Sequence, residues 1–260
     1  MPIIGPHLHE GDPLTEAQAI GANAVQFFLG DPQDWKAPSF PEGREPAQIR
    51  ADFEAAGVAA YVHSPYPMNL ASTNNRIRIP SRKILEQQLN AAASIGAAGL
   101  IVHGGHVTAA DDPAEGYDNW RKAIERVQRP LPMLIENTAG GEGAMARSLD
   151  NLARLWDAVN DGGDENVGFC LDTCHAYSAG EDLVGIVDRI KAITGRIDLV
   201  HCNNSRDEFA SSRDRHADLD KGTIDAAVLV AVVRAAGCPV ICETPDARSD
   251  VTWLRAQLGA

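Results

Sequence analysis

Short apolar runs of strand length recur along the chain, each bounded by Gly, Pro or polar residues, at 3–7, 24–29, 59–63, 99–103, 132–136, 167–172, 197–201 and 239–243. Each is followed by a segment rich in Ala, Leu, Arg and Glu with helical patterning, at 14–21, 46–56, 81–95, 117–127, 146–159, 183–193, 225–236 and 250–258. Strand-then-helix alternation demands a parallel sheet, and eight such units close it. The pattern therefore predicts an α/β fold, a TIM (β/α)8 barrel forming a single catalytic domain over residues 1–260. No linker, low-complexity tract or domain break interrupts it. In such a barrel the active site lies at the C-terminal ends of the strands.

Those ends are where the apolar pattern breaks. The runs close on His7, His63, His103, Glu136, Asp172, His201 and Glu243, all polar and metal-capable. The stretch 167–177, VGFCLDTCHAY, is the sharpest case: Asp172 ends an apolar strand and His175 follows three residues on, in the expected loop. A carboxylate there is costly to desolvate unless a cation, proton or hydrogen bond compensates it. Alternation inside the strands agrees, since Cys170 with Asp172, and Leu199 with His201, would share a face. The long segment after the seventh strand adds Asp214 and His216, two apart and able to point the same way in an extended loop.

Singly, each residue has a bland explanation: a hydrogen-bonded core histidine, a capping or paired carboxylate, a solvated charged loop. Number and place change that reading. Five histidines (63, 103, 175, 201, 216) and four carboxylates (136, 172, 214, 243) make nine candidate ligands, too many for one zinc. Imidazole and carboxylate without thiolate suit zinc, with manganese or iron as substitutes. A cluster of two or three ions suits phosphodiester hydrolysis. Cys170, Cys174 and Cys202 adjoin these ligands and read as buried thiols; His9 and His106 read as local hydrogen-bonding residues, and His7 as an outer or substrate-facing one.

Composition adds boundaries. The 260 residues are 44% hydrophobic, with no apolar run approaching 18, so no membrane span is expected, and the N-terminal segment lacks a signal-peptide pattern. Five cysteines without a regular framework suit a reducing, cytoplasmic compartment. A net charge of −13 argues against a nonspecific nucleic-acid coat, although bound divalent cations and a local basic rim would offset it. Phosphate-loop, dinucleotide and nucleophile-elbow motifs are absent, so no nucleotide cofactor is expected.

The segments YVHSPYPMNLAS, LIVHGGH, MLIENTAGG, GFCLDTCHAYSAG, VHCNNSRDE with SRDRHADLDKG, and VICET, in this order and spacing, resemble the motif set of the endonuclease IV family of apurinic/apyrimidinic endonucleases. The likeness spans essentially the whole chain, and LDTCHAYSAG and DRHADLDKG are its most specific parts. It implies a TIM barrel holding three zinc ions: His63 and His103 on the first, Glu136 bridging to a second completed by Asp172, His201 and Glu243, and His175, Asp214 and His216 on the third. Glu136, Glu243 and Asp172 would be the catalytic carboxylates, with no protein nucleophile. The implied activity is base-excision repair: incision of duplex DNA 5′ to an abasic site, leaving a 3′-hydroxyl, and trimming of blocked 3′ ends, by a monomer.

Two departures touch base-stack insertion and leave the metal ligands unaffected. The first strand leads into His7-Leu8-His9-Glu10-Gly11-Asp12-Pro13, without the family's Ser and paired glycines. Where some members insert an arginine from the second loop, this chain reads Asp31-Pro32-Gln33-Asp34-Trp35. Tyr66 matches a family aromatic that fills the space left by the damaged nucleotide, its bland reading being a packed loop tyrosine. Arg76, Arg78, Arg213 and Arg215, with Arg82, Lys83 and Arg206 nearby in sequence, are candidate phosphate contacts; their bland reading is a solvated helix start and loop. The rival reading of the chain is a single-metal sugar isomerase or epimerase on a similar barrel, which would leave His175 and the Asp214-Arg215-His216 triplet without work. A metal-stabilised DNA-binding protein without activity is the third.

Overall fold

Eight short apolar strands, each followed by helix, close into a parallel barrel. The structure, a computed structural model, describes residues 2–41, 44–160 and 165–259. In chain order the strands are β1 (Ile4–Leu8), β2 (Ala24–Phe28), β3 (Ala59–His63), β4 (Gly99–His103), β5 (Met133–Glu136), β6 (Val167–Asp172), β7 (Leu199–His201), β8 (Asn204–Ser205), β9 (His216–Ala217) and β10 (Val240–Cys242). The barrel runs β1 to β7 in sequence, then β10, which pairs back onto β1; every barrel pairing is parallel. The eight expected strands are these eight, with ends shifted by one or two residues.

The interior shows why the strand ends matter. Ala24, Tyr61, Ile101, Leu134, Cys170, Leu199 and Ile241 form one buried cluster inside the barrel. Two residues further along the same strands, on the same face, stand Gln26, His63, His103, Glu136, Asp172, His201 and Glu243. An apolar floor thus carries a ring of polar side chains directly above it. A second, larger core lies between the barrel and its helices.

The helices are α1 (Pro13–Ala19), α2 (Pro46–Ala56), α3 (Asn75–Ser94), α4 (Pro113–Arg126), α5 (Leu149–Val159), α6 (Thr173–Ala179), α7 (Ile186–Thr194), α8 (Ala226–Ala236) and α9 (Ala247–Leu258). Short polar side chains cap most of them: Asp12 on α1, Asp112 on α4, Ser148 on α5 and Asp225 on α8. In α5, Leu152, Leu155, Trp156 and Val159 are buried at helical spacing, which docks it on the barrel.

Three features depart from the sequence reading. The segment carrying His175 is not a loop but α6, because Asp172 caps a short helix immediately at the strand's end. α3 begins at Asn75 rather than 81, because Asn74 accepts the backbone N–H of Arg76 and starts the helix there, with Pro80 inside it. β8 and β9 form a small antiparallel pair with Ser205 opposite His216, giving the segment after β7 a regular anchor that periodicity does not reveal. Among the described residues, no helix is long and apolar enough to cross a membrane.

Candidate metal centre

All nine candidate ligands meet at the mouth. Glu136 is the hub: its Oε2 lies 3.2 Å from Nε2 of both His63 and His103, and its Oε1 lies 2.9 Å from His201 Nδ1. Ligand atoms gather into overlapping groups whose members lie within 4.8 Å of one another. One is His63, His103 and Glu136; another is Glu136, Asp172, His201 and Glu243; a third is Asp172, His175 and His216. Asp214 joins the third from the rim, one oxygen 3.1 Å from His175 Nε2 and the other 3.1 Å from His216 Nε2. Cys174 falls in a group with Asp214 and His216, but burial pushes its thiol up to about 12 and leaves it a poor ligand at neutral pH.

Hydrogen bonds on the far side of the rings aim them. His63, His175 and His216 each direct Nδ1 at a backbone carbonyl, of Ser64 at 2.7 Å, Asn137 at 2.9 Å and Glu243 at 3.1 Å. A carbonyl only accepts, so these nitrogens carry the proton and Nε2 faces the cluster. The Nε2 atoms of His175 and His216 are buried and make no hydrogen bond, although each has a carboxylate oxygen at 3.1 Å. Lone pairs and carboxylates converging without hydrogen-bond alignment suit a shared cation, and the donor set is that of zinc, manganese or iron.

The charge balance of the cluster points the same way. Burial by itself would raise Glu136 and Glu243, but the His201 imidazole beside both, with His103 at Glu136 and His7 at Glu243, holds each well below the carboxylate range. Asp172 goes the other way: burial, reinforced by the charges of Glu136 and Glu243, raises it despite His175 and His216. Burial opposes charge on His216, but the Asp214 carboxylate 3.1 Å from its Nε2 and the charges of Asp172 and Glu243 lift it to about 9. Against burial, His175 is likewise raised by Asp172, Asp214 and Glu136, and His201 by Cys170, Glu243 and Glu136. A site that stabilises protonated rings so strongly is one that calls for positive charge.

Three buried amides escaped the sequence reading. Gln26 Nε2 donates to Glu243 Oε1 at 2.6 Å, and its Oε1 lies 2.8 Å from His201 Nε2. Asn203 donates to Asp172 Oδ2 at 2.6 Å and accepts the backbone N–H of Glu243 at 2.8 Å. Asn137 exchanges two hydrogen bonds with the backbone of Asp172, at 2.8 and 2.9 Å. Their signal was positional: Asn137 follows Glu136, Asn203 stands two after His201, and Gln26 occupies the ring position of β2.

A cavity of about 100 Å³ opens above the cluster, with Tyr66 and His9 on its wall. Tyr66 is 43% exposed, and its ring packs on Phe28 edge-on and stacks on His103 at 6.2 Å. His7 sits beneath, 3.3 Å from Glu243, with burial depressing its ring to about 4, so it is neutral near pH 7. His106 is exposed and contacts Asn69, apart from the cluster. The basic candidates divide. Arg213 and Arg215 flank Asp214 at the rim, both engaging the carboxylate of Asp207. Arg76 and Arg78 lie in the first turn of α3, away from the cavity wall, and Arg78 is tied to the carbonyls of Ser72 and Thr73. Cys170, Cys174 and Cys202 are buried free thiols, as expected.

A family model described as a Xylose isomerase-like TIM barrel matches residues 14–258. A protein named probable endonuclease 4 from Mycobacterium marinum is 56% identical over 260 residues, covering 99% of this chain and 100% of that protein. The crystal structure of endonuclease IV from Thermus thermophilus superposes with a TM-score of 0.83 at 32% identity, over 99% of both chains. A D-tagatose 3-epimerase-like protein superposes with a TM-score of 0.76 at 18% identity, over 100% of this chain and 96% of that one, a likeness of fold alone.

Proposed function

This chain belongs to the endonuclease IV family, and from that premise we propose a metal-dependent phosphodiester hydrolase of base-excision repair. It cuts duplex DNA 5′ to abasic sites, leaves a 3′-hydroxyl and trims blocked 3′ ends. The observation that carries this reading is the sharing of Glu136 and Asp172 between ligand groups, which suits several ions held side by side.

In this reading three zinc ions are bound. His63 and His103 hold the first with Glu136, which also serves the second beside Asp172, His201 and Glu243; His175, Asp214 and His216 hold the third. Zinc held by these residues would supply Lewis acidity, lowering the pKa of bound water and offsetting phosphate charge. Glu136 and Glu243 work as fixed anions, since their neighbours keep them ionised. Asp172, fully buried, holds His175 and Asn203 in place through its two oxygens. Tyr66 offers its ring at the mouth to the damaged nucleotide or its neighbour. Arg213 and Arg215, and further out Arg76 and Arg78, contact the DNA backbone, a local positive rim on a chain of net charge −13. The enzyme acts as a cytoplasmic monomer, in keeping with its five free cysteines.

The deciding experiment is incision of a duplex with a single abasic site by the wild type and by Glu243→Gln, with metal counted per purified chain. The reading requires wild-type cleavage on the 5′ side, strong loss in the variant, and near three zinc ions. One manganese or magnesium per chain would favour the sugar-epimerase alternative. A wild type that neither cuts nor prefers abasic over intact duplex would sink the proposal.

A further inference from the structure

We infer that Gln26 is a positioning residue that selects which nitrogen of His201 faces the metal cluster. The inference rests on the metal-centre reading above and extends it to a residue outside the nine ligands. Seven strands contribute to the polar ring, and Gln26, fully buried, is the one member that is neither histidine nor acid. A primary amide inside a barrel needs its hydrogen bonds met. Here they are met by the cluster itself.

The orientation follows from chemistry. Glu243 Oε1 can only accept, so the group 2.6 Å from it is the Gln26 amide nitrogen, and the amide oxygen must then be the atom 2.8 Å from His201 Nε2. An amide oxygen only accepts, so when His201 carries one proton that proton sits on Nε2. Nδ1 is left with its lone pair, 2.9 Å from Glu136 Oε1 and 3.2 Å from Glu243 Oε2. The other rings so aimed present Nε2 and are held by backbone carbonyls, which no side-chain substitution removes. His201 presents Nδ1 and is held by a side chain. The same amide nitrogen lies 2.7 Å from His7 Nδ1, which tethers His7 to this network.

The test compares wild type with Gln26→Met, which keeps length and loses both hydrogen-bonding groups. Zinc-loaded proteins are titrated with a chelator in the absence of DNA, and histidine tautomers are read by ¹⁵N NMR on the zinc-loaded wild type. Outer partners of metal ligands are worth about 10–100-fold in affinity. The expected result is that Gln26→Met releases one class of zinc about 10–100-fold more readily, while the others leave as in wild type. The His201 ring of the wild type should carry its proton on Nε2. Wild-type release from the variant, or a proton on Nδ1 in the wild type, overturns the inference; the NMR arm decides it even where the variant does not fold. A wild type that loads zinc and fails to cut abasic DNA removes the functional reading and leaves this one standing, whereas one that takes up no zinc removes both.

Discussion

Asp172 accepts the backbone N–H of His175 at 2.7 Å, so the acid that ends β6 is also the N-cap of the helix carrying the next candidate ligand. Its other oxygen accepts from Asn203 and stands 3.7 Å from His216 Nε2. One side chain thus fixes the geometry of two ligand groups. Asp172→Asn preserves a capping oxygen but sets an amide against the Asn203 donor, whereas Asp172→Ala loses the cap as well. Both variants should bind less metal and lose incision by on the order of 100-fold. Asp172→Ala should be the less stable by about 0.5–2 kcal/mol, read from chemical denaturation of the metal-free proteins.

Glu136 contacts His63 and His103 through one oxygen and His201 through the other. Glu136→Gln should therefore lose more than one ion per chain by elemental analysis. His103→Ala, which removes a ring from a single group, should lose no more than one. Equal losses in the two variants would remove the bridging role from Glu136.

Metal uptake should depend on pH through His216. Burial works against its charged form, but Asp214, Asp172 and Glu243 raise it to about 9, so at pH 7 the metal-free ring is protonated. A ring must shed that proton to bind a cation. From this group alone, zinc affinity should fall about tenfold per unit as pH drops below about 9 and level off above it. Competition titrations across this range, with Asp214→Asn moving the break to lower pH, check the sign.

Asp207, 8% exposed at its side chain, engages both Arg213 and Arg215 around Asp214. The clamp holds the rim segment in place, leaves both guanidinium groups more than half exposed toward solvent, and offsets part of their attraction for phosphates with its own negative charge. Asp207→Asn should loosen it, so that DNA binding tightens at low salt and its salt dependence steepens by roughly 0.9 per arginine recruited. Arg213→Ala should move the slope the opposite way. Fluorescence anisotropy over a salt series measures both.

The barrel and its ring of ligands were legible because two periodicities coincide. Alternation puts Leu134 and Glu136, or Leu199 and His201, on one inner face, and the apolar member marks the polar one as facing inward. What stayed hidden depends on contacts distant in sequence. α6 forms where a loop was expected because a strand-end acid doubles as a helix cap, which neither apolar period reports. Gln26 and Asn203 look like ordinary polar residues until the barrel closes and brings β2 and the segment after β7 against Glu243. The arginines of 213 and 215 read as free until Asp207, six and eight residues earlier, folds back onto them.

Tyr66 is half-exposed at the mouth, its ring braced by Phe28 and stacked on His103. Its hydroxyl is pushed up to about 12, mainly by burial and further by Glu243, Asp214 and Glu136, so it stays protonated and neutral at working pH. What it offers the substrate is therefore a rigid aromatic face. Tyr66→Phe should retain near-wild-type discrimination between abasic and intact duplexes. Tyr66→Ala should weaken abasic-duplex binding by about 1–3 kcal/mol, the range for a stacked base, and weaken intact-duplex binding much less. The comparison is made with zinc-loaded protein and a substrate carrying a non-cleavable linkage, so that binding is read apart from incision. If Tyr66→Ala affects both duplexes equally, the ring supports the cavity wall rather than reading the lesion.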